Sequence, residues 1–390
     1  MTDRLRAAIA GRTASMIERI SALAAINSYT ANKAGGDRVG ALLAEAFGAL
    51  PGVHVRTVPS ATHADHLVIE TDAGARGSAG CVALVGHHDT VFAPGSFEEV
   101  RVDGELLRGP GVLDMKGGLV VALEAMRAVA EVTGRLGDLP LRFVIVGEEE
   151  IGSPESRPLL QRELAGAACA LVFEAGRKED RIITARKGSG MARAVAHGKA
   201  AHAANGHAQG VNAIWAMARF VDRVQALTDY DRGITVNVGV VKGGDAKNTV
   251  PDRCEALLDF RFVKVVDGEA TIARLHEAAE EAARGLPGSR VEVDASLARA
   301  PLERTAENLA ICHEYAACAR AAGLGAEEAA LIAGGSDASS TSAIGIPSID
   351  GLGPRGSGFH TKDEQVEIAS LEPKVEALAR FLLGRLPPRA

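Results

Sequence analysis

Three apolar runs in the first half of the chain end abruptly in titratable residues. VALVGHHDTV over 82–91 passes into His87, His88 and Asp89; LRFVIV over 141–146 runs through Gly147 into Glu148, Glu149 and Glu150; ALVF over 170–173 meets Glu174. Short unbroken apolar runs of this kind predict strands buried on both faces. Such a strand is a poor place for imidazole or carboxylate unless something pairs them. Three strand ends of one character therefore predict a single polar site at the carboxyl edge of a sheet, where open α/β sheets hold their ligands.

Elsewhere in the first half, helical periodicity covers 13–26, 37–50, 116–132 and 155–164, with strand-like stretches at 53–58 and 66–70 and a hairpin at 101–108. This alternation predicts a mostly parallel sheet flanked by helices, an α/β class. The middle reads differently: strand 189–197, helix 211–227, strands 234–241 and 253–262, helix 269–284 and strand 290–296. The order β-α-β-β-α-β is that of a ferredoxin-like α+β unit. Helices at 307–322 and 371–386 return the chain to α/β character. The expected organisation is one α/β domain, 1–187 and 299–390, interrupted by an inserted α+β domain at 188–298.

Composition narrows the function. With 390 residues, a net charge of −7, 4% aromatics and no Lys/Arg-rich block, nucleic acid is not an expected partner. No segment approaches the roughly 20 apolar residues of a membrane span, so no membrane partner is expected either. Cys81, Cys169, Cys254, Cys312 and Cys318 are odd in number, scattered and free of C-x-x-C pairing, which predicts buried thiols in a reducing compartment. The charged N-terminal stretch lacks the apolar core of a signal peptide, so the expectation is a cytoplasmic protein.

Taken singly, each motif has an ordinary reading: His87-x-Asp89 as a surface turn, Asp114 in GPGVLDMKGG (109–118) as a helix cap, His360 in GSGFHT (356–361) as a loop histidine. Together, in order and spacing, they resemble the metal motifs of the zinc-dependent amidohydrolase superfamily that contains bacterial glutamate carboxypeptidase, acetylornithine deacetylase and succinyl-diaminopimelate desuccinylase. GPG (109–111), Phe173-Glu174, GKAAH (198–202) and GFH (358–360) place the resemblance closest to the glutamate carboxypeptidase branch.

The resemblance implies two Zn²⁺ ions per chain, with Mn²⁺ or Co²⁺ as substitutes: His87 and Glu174 on one, Glu150 and His360 on the other, Asp114 bridging. A shared carboxylate both neutralises and spaces two cations. Asp89 resembles the carboxylate that fixes the His87 imidazole; only His87, not His88, satisfies the His-x-Asp-Thr spacing. Glu149 resembles the general base acting on a metal-activated water. His202 matches a histidine that reaches a partner's site in a homodimer built through 188–298. Asn248 and Arg261 match substrate-contacting positions, with Arg186, Lys187 and Arg299 as further basic candidates near the domain joins. The resemblance also implies a cis Asp114–Met115 peptide.

The implied reaction is hydrolysis of an amide next to a free carboxylate in an N-acyl amino acid or dipeptide-like substrate, as a carboxypeptidase or alternatively as an N-acyl-amino-acid deacylase; Glu174, rather than Asp, favours these two over an aminopeptidase. Glu148 departs from the branch, which carries aspartate there, and the absent export signal leaves no ground for a folate-scavenging role. GGSDA (334–338) nearly satisfies a nucleophile elbow on Ser336 but lacks its final glycine. A serine hydrolase would leave the acidic ligands unexplained, and a non-catalytic binding protein on the same scaffold would not need the base.

Overall fold

The computed structural model describes residues 2–388. The chain divides into two compact units with separate cores: the first takes the chain up to Ala185 and resumes over Arg304–Ile332 and from Ser336, and the second comprises Arg186–Glu303 with Ala333–Gly335.

The first unit opens with helices α1 (Thr2–Ile9), α2 (Thr13–Ala24) and α3 (Lys33–Gly48), followed by strands β1 (Val53–Val58), β2 (His66–Thr71) and β3 (Val82–His87). Next come the hairpin β4 (Arg101–Asp103) and β5 (Leu106–Arg108), helix α4 (Gly117–Thr133), strand β6 (Leu141–Val146), helix α5 (Ser156–Leu164) and strand β7 (Cys169–Val172). β3, β6 and β7 are side by side and parallel, so their carboxyl ends meet at one edge of the sheet. β2 joins β6 antiparallel and β1 joins β2 antiparallel, which makes the sheet mixed.

Residues of β3 and β7 are buried throughout, as the unbroken apolar runs require. Leu67, Ile69, Leu84, Phe143, Ile145 and Leu171 share a core with α1–α4. The alternate set, Val68, Val85, Val144 and Val172, is buried too. Helix α3 starts at Lys33, four residues before its expected start, because Asn32 caps it by accepting from the Gly35 amide at 3.2 Å. Gly35 reads as a loop residue, yet a Cβ there would lie 1.9 Å from the Asn27 carbonyl oxygen.

The second unit carries β8 (Gly188–His197), β9 (Ala201–His202), α6 (Ala213–Gln225), β10 (Thr235–Gly243), β11 (Thr249–Val250), β12 (Arg253–Phe262), α7 (Val265–Arg284) and β13 (Arg290–Arg299). Its main sheet, ordered β10-β12-β8-β13, is antiparallel throughout. One face packs on α6 and α7 around Ala192, Ala194, Met217, Phe220, Phe260 and Leu275. Gly190 is required there: a Cβ would stand 2.0 Å from the Phe260 ring.

Back in the first unit the chain forms α8 (Ala306–Ala321), α9 (Ala338–Ser342), β14 (Ser348–Ile349), β15 (Gly356–Ser357), β16 (Gln365–Glu367) and α10 (Leu371–Leu383). β14 adds to β7 in parallel, and β15 and β16 extend the β4–β5 hairpin. Among the described residues no helix is long and apolar enough to cross a membrane.

Candidate metal centre

At the carboxyl edge of β3, β6 and β7 the sheet presents His87, the 148–150 turn and Glu174. The loop after β5 brings Asp114 and the loop after β15 brings His360. Asp114 stands between two imidazoles: Oδ1 is 3.2 Å from His87 Nε2 and Oδ2 is 3.2 Å from His360 Nε2. Glu174 Oε2 lies 3.8 Å from His87 Nε2, and Glu150 Oε2 lies 3.0 Å from His360 Nε2. Ligand atoms of His87, Asp114 and Glu150 fall within 4.8 Å of one another, as do those of His87, Glu149 and Glu174. The Asp114–Met115 peptide is cis.

The electrostatics describe a cluster with more carboxylates than compensating cations. Burial raises Asp114, but hydrogen bonds from His360 and His87 overcome it and hold the carboxyl well below its usual range. Glu174 is pushed up to about 7 by burial and then by the neighbouring Asp114 charge. Glu150 is raised by burial, with His360 opposing. His360 is drawn up to about 10 by its hydrogen bonds to Asp114 and Glu150. Protons thus fill the place that cations suit. An all-nitrogen and oxygen donor set, buried and anionic, with one carboxylate shared between two histidines, fits a pair of divalent ions such as Zn²⁺, Mn²⁺ or Co²⁺.

Asp89 does more than its spacing suggests. It is buried, its Oδ1 lies 3.2 Å from His87 Nδ1, and it accepts the backbone N–H groups of Glu149 (3.1 Å) and Glu150 (3.3 Å) and the Thr30 hydroxyl (2.7 Å). Asp89 therefore orients both a histidine on β3, whose Nδ1 also meets the Asp89 main-chain carbonyl at 3.1 Å, and the glutamate turn after β6. His88 is engaged elsewhere: its Nε2 contacts the Asp65 carbonyl at 3.0 Å, and burial pushes its imidazole down to about 4.

Two further acidic residues support the site: Glu148, which the sequence marks only as part of the 148–150 run, and Glu364, which no periodicity or motif marks. Glu148 is buried and accepts from the amides of Glu155 (2.9 Å) and Ser156 (2.6 Å) and from Ser156 Oγ (2.7 Å), holding the start of α5. Glu364, four residues after His360, is buried and accepts from the amides of Gly111 (3.0 Å), Leu113 (2.9 Å) and Asp114 (2.9 Å). Ser336 is also fully buried, and its hydroxyl donates to Asp350 at 2.6 Å, so the elbow-like segment presents no exposed nucleophile.

The remaining candidates belong to the second unit. His202 and Asn248 are brought together by the β9–β11 pairing, where Ala203 N donates to Asn248 O at 2.9 Å. His202 is exposed, and its Nδ1 accepts from the amides of Ala204 (3.1 Å) and Asn205 (3.2 Å), which puts the hydrogen on Nε2. Arg261 forms a two-pronged pair with Asp259 at 2.8 and 2.9 Å. Lys187 Nζ donates to the Gly233 carbonyl at 2.7 Å, and Arg186 donates to Gly334 O at 3.0 Å. Arg299, at the end of β13, packs beside Gly335, where a Cβ would lie 2.6 Å from its Cδ.

A family model described as a peptidase dimerisation domain matches residues 184–286, and one described as peptidase family M28 matches 66–213. Carboxypeptidase G2 from Pseudomonas sp. (strain RS-16) is 29% identical over 307 residues, 77% of this chain and 72% of the relative. A putative succinyl-diaminopimelate desuccinylase from Mycobacterium tuberculosis is 30% identical over 314 residues, 78% of this chain and 82% of the relative. Among solved structures, a dinuclear metal binding peptidase of the M20 family from Bacillus subtilis shares the fold, with a TM-score of 0.71 at 16% identity over 96% of this chain and 98% of that one.

Proposed function

Because this chain belongs to the M20 family of metallopeptidases and deacylases, we propose that it hydrolyses, with two bound Zn²⁺ ions, an amide bond adjacent to a free carboxylate, as a carboxypeptidase. The observation that carries this reading is Asp114, each of whose oxygens faces a different histidine, with Glu174 and Glu150 on the two flanks. His87, Glu174 and Asp114 would hold one ion, and Glu150, His360 and Asp114 the other. Bound there, the two cations would acidify water and polarise the substrate carbonyl.

The chain's own groups do the proton work. Glu149, beside His87 and Glu174, accepts a proton from water and returns it to the leaving nitrogen. Asp89 keeps that turn and the His87 ring in place. His202, with its hydrogen on Nε2, is suited to donate to the substrate carbonyl, and Asn248 lies beside it. Arg261 offers a planar fork to the substrate carboxylate, exchanging Asp259 for it. The working form is a homodimer through 188–298, with His202 serving the partner's site. A second reading, N-acyl-amino-acid deacylase, is favoured by the similarity to the putative desuccinylase.

The test is direct. Purified protein under saturating zinc should carry two ions per chain, and a screen of N-acyl amino acids and dipeptides should reveal hydrolysis that a chelator abolishes and added metal restores. A folded sample that binds one ion at most, or hydrolysis that ignores the chelator and is blocked by a fluorophosphonate, overturns the reading.

A further inference from the structure

The segment that delivers His360 and the turn that delivers Asp114 are far apart in the first unit's sequence, yet they meet in one register. β16 pairs antiparallel with β5, matching Arg108 with Gln365 and Leu107 with Val366. The residue just before β16 is Glu364, and the residues just after β5 form the 109–114 turn. Glu364 is fully buried, and its two oxygens take three main-chain N–H groups from that turn: Gly111 on Oε2, Leu113 and Asp114 on Oε1. The contact is reciprocal along the backbone, since Gly109 N donates to Glu364 O at 3.3 Å. Four residues upstream of Glu364, on the same loop, His360 faces Asp114 Oδ2 at 3.2 Å.

We propose that Glu364 is the positioning residue for the second metal site: its carboxylate clamps the Asp114 turn to the His360 loop and so sets the separation of Asp114 and His360, the bridging and terminal ligands of that ion. The proposal rests on the dinuclear reading given above. His87 and Glu174, the ligands at the other ion, come from β3 and the end of β7, whose places are fixed by the sheet rather than by this clamp. A carboxyl group suits the task because the turn offers three N–H donors, and its two oxygens have lone pairs for all of them. In Glu364→Gln the amide oxygen can still take Leu113 and Asp114, but the NH₂ group opposes the Gly111 N–H, donor against donor.

Zinc titration of the purified, refilled protein against a competing chromophoric chelator tests this. Glu364→Gln should weaken one of the two zinc ions by ~10–100-fold, the usual effect of removing a group that orients a metal ligand, and the other, which shares only Asp114 with it, by less. The kcat lost at limiting zinc should return with excess zinc at an unaltered KM. A purely structural role would lower the melting temperature of the metal-free protein and leave both zinc affinities as in the wild type; that result overturns the proposal. A wild-type protein that binds fewer than two ions removes the dinuclear reading and this proposal together. A wild type with two ions and a variant with the same two affinities removes this proposal alone. Should Glu364→Gln not accumulate as folded protein, amide exchange on metal-free wild type decides. Gly111, Leu113 and Asp114 should exchange as slowly as the interior of β3, and exchange within seconds overturns the clamp.

Discussion

Three consecutive glutamates after β6 meet three different surroundings, because a tight turn aims successive side chains in different directions. Glu148 turns back to α5, Glu149 lies in the group with His87 and Glu174, and Glu150 reaches His360. Replacing Glu149 by Gln should lower kcat by about 10²–10⁴-fold, the usual worth of a general base. Metal content, measured on the same sample, should stay at the wild-type level; loss of metal equal to that in Glu150→Gln would show the two roles reversed. Protonation gives a second expectation. His360 at about 10 is protonated at neutral pH in the metal-free site, and Glu174 at about 7 is partly so. Metal ligands must be unprotonated, so zinc binding at pH 7 should expel about one proton or more per chain, and affinity should weaken as pH falls. Calorimetry in buffers of different ionisation enthalpy reads this directly, and identical heats would contradict it. The sequence exposed this cluster because charge at the end of an apolar strand is conspicuous. It did not give the neighbours their roles: Glu148 stood in the run with no task assigned, and Glu364 is marked only by what it accepts in three dimensions.

At the level of elements, α5 depends on a residue eight positions before its start. The first N–H groups of a helix lack partners within it, and here the Glu148 carboxylate accepts the amides of Glu155 and Ser156. Glu148→Ala should therefore destabilise the first unit by ~1–3 kcal/mol, the cost of leaving buried donors unpaired. A lowered thermal midpoint with metal ligands intact would register it; a midpoint equal to wild type would show that water replaces the cap. Long apolar or periodic segments such as β3, β6 and α4 were legible because burial leaves its mark on every residue. β14, β15 and β16, with two or three residues each, are too short to show a period, although β15 and β16 flank the His360 loop. The start of α3 was hidden by two glycines that close packing, rather than flexibility, demands.

For the whole molecule, the inserted β-α-β-β-α-β order was readable because apolar alternation changes period at each boundary. What that unit does for catalysis is a matter of assembly. If His202 acts across the proposed dimer, mixing inactive His202→Ala with inactive Glu149→Gln should regenerate about a quarter of wild-type activity when subunits exchange freely, since half of the dimers are then mixed and each has one intact site. Mixed dimers that form and stay inactive would mean that His202 serves its own chain or another purpose. The way the chain enters and leaves this unit has a separate consequence. Arg186 and Leu302 exchange both main-chain hydrogen bonds, at 2.9 and 3.1 Å, so the two ends of the insertion lie about 5.5 Å apart at their Cα atoms. The unit also keeps its own core. A short turn could close that gap, so the continuous stretch Arg186–Glu303 is open to excision or exchange at one junction, leaving behind the three residues Ala333–Gly335 that cluster with it.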